Sequence, residues 1–115
     1  MNNDFPVFRY ADAILTRAEA LWRLNPGDAE ALDLVNQIRT RAGVAPFTEL
    51  TEENLLAERG REMFAELSRR TDMIRFGKWT ESWWERPAQP ETKELFPIPK
   101  PQLDANPNLT QNPGY

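Results

Sequence analysis

The chain has 115 residues, 28% of them charged, with a net charge of -4 and a pI near 4.9. That length suits one modest domain, which buries only about two thirds of the surface its unfolded chain exposes, and the acidic balance speaks against nucleic-acid phosphates or anionic lipid as partners. With neither cysteine nor histidine, the sequence lacks a disulfide, a thiol nucleophile, a zinc-type cluster and an imidazole base, so no cofactor or metal is expected and any catalysis would rest on carboxylates. No window approaches the roughly 18 apolar residues of a membrane span, and no charged-then-apolar leader is present. If the protein is exported, its signal is expected outside this sequence.

In chain order, Ile14, Leu15, Ala18, Leu21 and Trp22 recur at helical spacing and predict a helix over residues 10–24. Asn25-Pro26-Gly27 breaks it. Asp28 is a good N-cap for a second helix with the stripe Ala31, Leu34, Val35, Ile38 and Ala42, which Gly43 ends as a C′ glycine. Two helices joined by a short turn within residues 10–43 make a hairpin of the tetratricopeptide (TPR) type, with Ala18 and Ala20 permitting close approach. A single hairpin cannot cover its own apolar face and is expected to stack on something.

Thr51, followed by Glu52 and Glu53 at the positive end of the dipole, starts a third helix with the stripe Leu55, Leu56, Met63, Phe64 and Leu67. Gly60 interrupts it at a cost of about 1 kcal/mol relative to alanine. A short fourth helix over residues 70–76 ends at Gly77, completing an Arg/Glu-rich segment over residues 51–77. Seven of the ten prolines follow, from Pro87 onward. Because proline fixes φ and removes a donor, this last third is expected to be neither regular helix nor central strand but an ordered arm. The expected fold class is therefore all-α: a TPR-like hairpin, a third long helix, and an irregular Trp- and Pro-rich arm over residues 78–115, together one domain over residues 1–115.

Glu58, Glu62 and Glu66 fall at i,i+4 spacing, so three carboxylates share a face if the helix is continuous. A glycosidase needs two carboxyl groups facing each other across a sugar cleft, which one helix does not supply. Interleaved arginines point instead to ion pairs, with Arg39, Glu58, Arg59 and Asp72 expected to form partly buried ones. Oxygen ligands for calcium are present without EF-hand spacing. Trp79, Trp83 and Trp84 lie where helical amphipathicity is weak and are candidate ligand-binding residues, since the apolar face of a pyranose stacks on an exposed aromatic ring. Burying a core or an interface is the competing use of these rings. Asn106 and Asn112, each before a proline, predict side-chain-bonded turns.

The order of these pieces resembles the C-terminal region of the SusD/RagB family. Arg9-Tyr10-Ala11-Asp12 with Ala18-Glu19-Ala20 is similar to the opening helix of that region, and Asn36, Ile38, Arg39, Arg41, Ala42 and Gly43 are similar to the end of the next. Glu58, Arg59, Glu62, Glu66, Arg69, Asp72, Arg75 and Gly77 follow its charged run. Pro97-Ile98-Pro99 and the ending from Asn106 to Tyr115 follow its terminus. Leu67 departs from the pattern, standing where the family usually has glycine.

The resemblance implies a C-terminal piece of a lipid-anchored protein on the outer-membrane surface of Bacteroidetes-type bacteria. Such a protein captures oligosaccharides or other nutrients, without catalysis, for a SusC-like TonB-dependent transporter. It also implies that the signal peptide, the lipid-bearing cysteine and much of the family's glycan site belong to the remainder of the protein. The helices alone equally support a freestanding TPR-like module that binds a partner protein.

Overall fold

The computed structural model describes residues 7–115. Among the described residues five α-helices and a 3-10 turn form: α1 (Tyr10–Leu24), α2 (Ala29–Arg41), α3 (Glu52–Glu62), α4 (Arg69–Arg75), the turn Glu91–Glu94, and α5 (Lys100–Ala105). Among the described residues no strand forms, only an isolated bridge between Trp83 and Arg86. The chain divides between Asp72 and Met73 into two compact units. No helix among the described residues is long and apolar enough to cross a membrane.

In the first unit α1 packs mainly on α2, and α3 touches both. Asp28 caps α2 by accepting from Ala31 N at 2.9 Å, and Thr51 caps α3 by accepting from Asn54 N at 3.1 Å, each satisfying an otherwise orphaned donor. Helix α2 ends in a Schellman motif: Gly43, at φ 72°, donates to Thr40 O, and Val44 N donates to Arg39 O. Gly77 repeats that motif after α4, at φ 65°. The core is Ala11, Leu15, Ala18, Ala31, Val35, Ile38, Leu50, Leu55 and Met63. The hairpin closes through Ala11, Ala18 and Ala31, whereas Ala20 is exposed and its neighbour Glu19 is buried.

The third helix is shorter than its apolar stripe predicts. It ends at Glu62, Met63 is its buried cap, and Phe64 and Leu67 are 82% and 84% exposed. The cause is backbone geometry: Ala65 and Leu67 both take φ 63°, the left-handed region, which no helix continues through. Glu66 therefore leaves the helix that carries Glu58 and Glu62. Gly60 stays inside α3, where a Cβ would lie 2.7 Å from Arg69 Nη1; its bare backbone lets Arg69 reach Leu56 O at 2.7 Å.

Charged side chains complete this unit. Arg59, buried in α3, lies 2.9 Å from Asp12 of α1 and 2.9 Å from the buried Asp72 of α4. Arg39 of α2 reaches buried Glu58 at 2.7 Å, and Arg61 binds the same carboxylate. Arg9 forks onto Glu66 and also holds Glu62 at 2.7 Å, while Arg41 holds Glu62 from the other side. Hydrogen bonds that Arg9 donates to Glu66 and Glu62 raise its pKa further above its already high value.

The second unit, from Met73, is ordered without a comparable core: no residue from Gly77 to Tyr115 is buried. Its prolines do not exclude helix altogether. Pro101 sits in the first turn of α5, where the missing N–H would have had no intrahelical partner. The arm closes on itself through side chains that replace a strand ladder. Gln111 donates to Ile98 O at 2.9 Å and accepts from Ile98 N at 2.8 Å, Asn112 donates to Phe96 O, and the Tyr115 hydroxyl donates to Leu95 O. Asn106 accepts from Asn108 N in the expected turn. Asn112 differs from expectation, bonding across to Phe96 rather than within its own turn.

Candidate functional site

Two of the places among the described residues where polar and apolar groups meet differ in how much of that chemistry is already spent. The first is a cleft of about 540 Å³ in the first unit, lined by Arg39, Val44, Phe47, Glu58 and Arg61 among others. Asn36 mimics a peptide group here, donating to Phe47 O at 3.0 Å and accepting from Phe47 N at 2.7 Å. Arg39 donates to Ala45 O, and its guanidinium sits 3.8 Å from the centre of the Phe47 ring. With Arg39 and Arg61 both on Glu58, the cleft's charges serve the scaffold. Arg39, with Asn36, thus fastens the loop after α2.

The carboxylates tell the same story. Glu58, Glu62 and Glu66 each hold an arginine, and no group of three His, Cys, Asp or Glu side chains among the described residues is placed to hold a metal ion. Burial pushes the Glu62 carboxyl up, but the hydrogen bonds from Arg41 and Arg9 outweigh it and hold the group below the ordinary carboxylate value. A general acid requires the opposite displacement.

The second place is the tryptophan loop, within the second unit. Trp83 N donates to Arg86 O at 3.0 Å and Arg86 N donates to Trp83 O at 2.9 Å, closing a two-residue turn with Trp84 and Glu85 at its tip. Glu85 takes φ 57°, the sign that a type II turn requires at its third position and normally assigns to glycine or asparagine. The Arg86 guanidinium then folds back over two rings, 4.5 Å from the centre of Trp79 and 3.9 Å from that of Trp83, and donates to Trp79 O at 2.6 Å. Trp79 and Trp83 pack tilted, 5.5 Å apart, and Trp79 Nε1 donates to Lys93 O at 3.1 Å.

The three candidate rings therefore have different surroundings. Trp79 is partly covered and hydrogen-bonded, Trp83 is 38% exposed with Arg86 on it, and Trp84 is 86% exposed. The sequence reading placed the three tryptophans in one loop but did not single out Arg86, the residue that sets their surroundings apart. Its signal was present: an arginine three positions after Trp83, across a pair of turn residues, is placed to stack on the rings before it.

Comparison with known proteins places this geometry. The SusD family model matches residues 1–94 and 77–115. The chain is 38% identical, over 99% of its length, to the starch-binding protein SusD of Bacteroides thetaiotaomicron, and 34% identical, over 95%, to the SusD-like protein P38 of Formosa agariphila. It spans only 22% and 24% of those two proteins. Among solved structures, it superposes on surface glycan-binding protein A of Bacteroides uniformis with a TM-score of 0.83 and 31% identity, over 96% of this chain and 28% of that one. A laminarin-binding SusD-like protein matches with a TM-score of 0.80 and 35% identity, over 95% of this chain and 23% of that one. Sequence and backbone agree along nearly the whole length, arm included, and the chain belongs to the SusD family.

Proposed function

We propose that this chain is the C-terminal part of a glycan-capturing protein that works at the outer-membrane surface, lipid-anchored through the remainder of the protein, and passes oligosaccharides to a SusC-like TonB-dependent transporter. The observation that carries this reading is its 38% identity, along 99% of its length, to a protein named for starch binding. Relatives named for laminarin and for surface glycans support it. The role is capture rather than bond cleavage, because the grouped carboxylates are committed to arginines. Trp79, Trp83 and Trp84 form the proposed ligand-contacting loop, with the helical unit as its scaffold.

Affinity electrophoresis through gels containing starch, laminarin or other neutral polysaccharides tests capture: the folded chain is expected to be retarded by at least one of them and to leave the polymer intact. Equal mobility in every gel would contradict glycan contact within this chain. Purification of the tagged whole protein from outer membranes tests the partnership and is expected to bring down a TonB-dependent transporter. Its recovery alone, free of membrane, would contradict both the location and the partner.

A further inference from the structure

We infer that Trp84 alone is the sugar-stacking platform of this loop, for the pyranose face of a glucan, and that Trp79, Trp83 and Arg86 are its mount. The inference rests on the glycan-capture reading and sharpens it to one ring and one ligand class. Trp84 is the most exposed of the three rings, at the tip of a turn closed by two backbone hydrogen bonds. Glu85 beside it is held at φ 57°. A non-glycine residue in that region is strained, and such strain persists only where the surroundings over-determine it. Here the surroundings are visible: Arg86 covers one face each of Trp79 and Trp83 and is tied to Trp79 O, Trp79 is tied to Lys93 O, and Gln89 N donates to Thr80 O across the base of the loop. The indole is carried on a fixed base, so binding need not order the loop first.

The immediate surroundings favour a sugar. Glu81, Ser82 and Glu85, exposed close to Trp84 in sequence, are polar, and the adjoining Trp83 ring, 38% exposed, has Arg86 over it. A protein hot spot is ringed by other contacts that exclude water, whereas one flat π-face beside hydroxyl-bonding groups suits a pyranose, whose C–H face is apolar and whose rim is polar. Starch and laminarin, the ligands in the relatives' names, are both glucose polymers that differ in linkage. A single stacked ring reads the face of glucose rather than the linkage.

The test follows the four indole N–H signals of the chain by proton–nitrogen NMR, with Trp84 assigned through Trp84→Phe, during titration with a maltooligosaccharide and with soluble laminarin, alongside calorimetry. The Trp84 signal is expected to move and saturate while that of Trp22, bonded to Leu50 O, stays fixed. Trp84→Ala is expected to weaken binding about tenfold or more. Because Trp84 is exposed, its truncation opens no cavity in the core, and an unchanged circular dichroism spectrum checks that the fold is kept. Binding heat without movement of the Trp84 signal, or equal affinity in Trp84→Ala, overturns the platform and leaves glycan capture standing. No heat and no movement with either glucan overturns both the platform and glycan contact within this chain.

Discussion

From Tyr10 to Asp72 the chain buries Leu15, Val35 and Leu55 completely and locks its helices with buried charges, whereas from Gly77 to Tyr115 nothing is buried and order comes from prolines and from side chains bonded to backbone. The first unit gains stability in the usual way, by removing apolar surface from water. The second limits the freedom its chain has to lose, since seven prolines reduce the unfolded state's conformations, and then satisfies its irregular backbone with Gln111, Asn112 and Tyr115. A unit without a core has its large side chains available for a ligand. The most exposed tryptophan, Trp84, lies here, and the buried ion pairs lie there.

The contrast can be broken most severely at Arg59. Arg59→Met leaves Asp72 buried without this arginine, and a loss of about 4 kcal/mol is expected in urea denaturation. An unchanged midpoint would show that the pair carries no weight. Leu55→Ala is expected to cost about 3 kcal/mol by opening a cavity where Leu55 is fully buried.

Glu62 sharpens the electrostatic half of the comparison. Because its folded-state pKa is depressed, its contribution is fully present above the ordinary value of 4.5 and is lost as pH falls through the folded value. Glu62→Gln should therefore lower stability at neutral pH by about 2 kcal/mol, and the gap from the parent should close below pH 4.5. A gap that persists in acid would contradict this origin.

In the arm, Tyr115→Phe removes the bond to Leu95 O at a cost of about 1 kcal/mol or less. It should speed amide exchange in the arm while the helical unit melts as before. A further effect has the opposite sign. Leu67 is exposed at φ 63°, so Leu67→Gly should raise the urea midpoint by an amount equivalent to about 1 kcal/mol, through relief of left-handed strain.

Helices α1 and α2 were legible because spacing, caps and C′ glycine all agree, and the pairs of Arg39, Glu58, Arg59 and Asp72 were legible because opposite charges recur along one short stretch. The end of α3 was not. Met63, Phe64 and Leu67 extend its apolar stripe, and nothing in alanine or leucine announces a positive φ; only the family pattern, with glycine at the position of Leu67, carries that information. Arg9 was read only as part of a motif, since its partners lie 53 and 57 positions away and no local spacing reveals them. Helix α5 was missed because proline was weighed as a breaker without regard to its tolerance in a first turn. In the candidate site, composition identified the loop, but which ring a neighbouring guanidinium covers depends on a turn whose conformation a glutamate does not signal.

The most direct test of this division between scaffold and site is a fluorescence titration of the chain with laminarin, in parallel with Trp22→Phe from the helical unit and Trp84→Ala from the arm. The account predicts saturable binding of equal strength by the parent and Trp22→Phe, and binding weakened about tenfold or more for Trp84→Ala. Undiminished binding by Trp84→Ala, or loss of binding in Trp22→Phe with its helices intact, would contradict it.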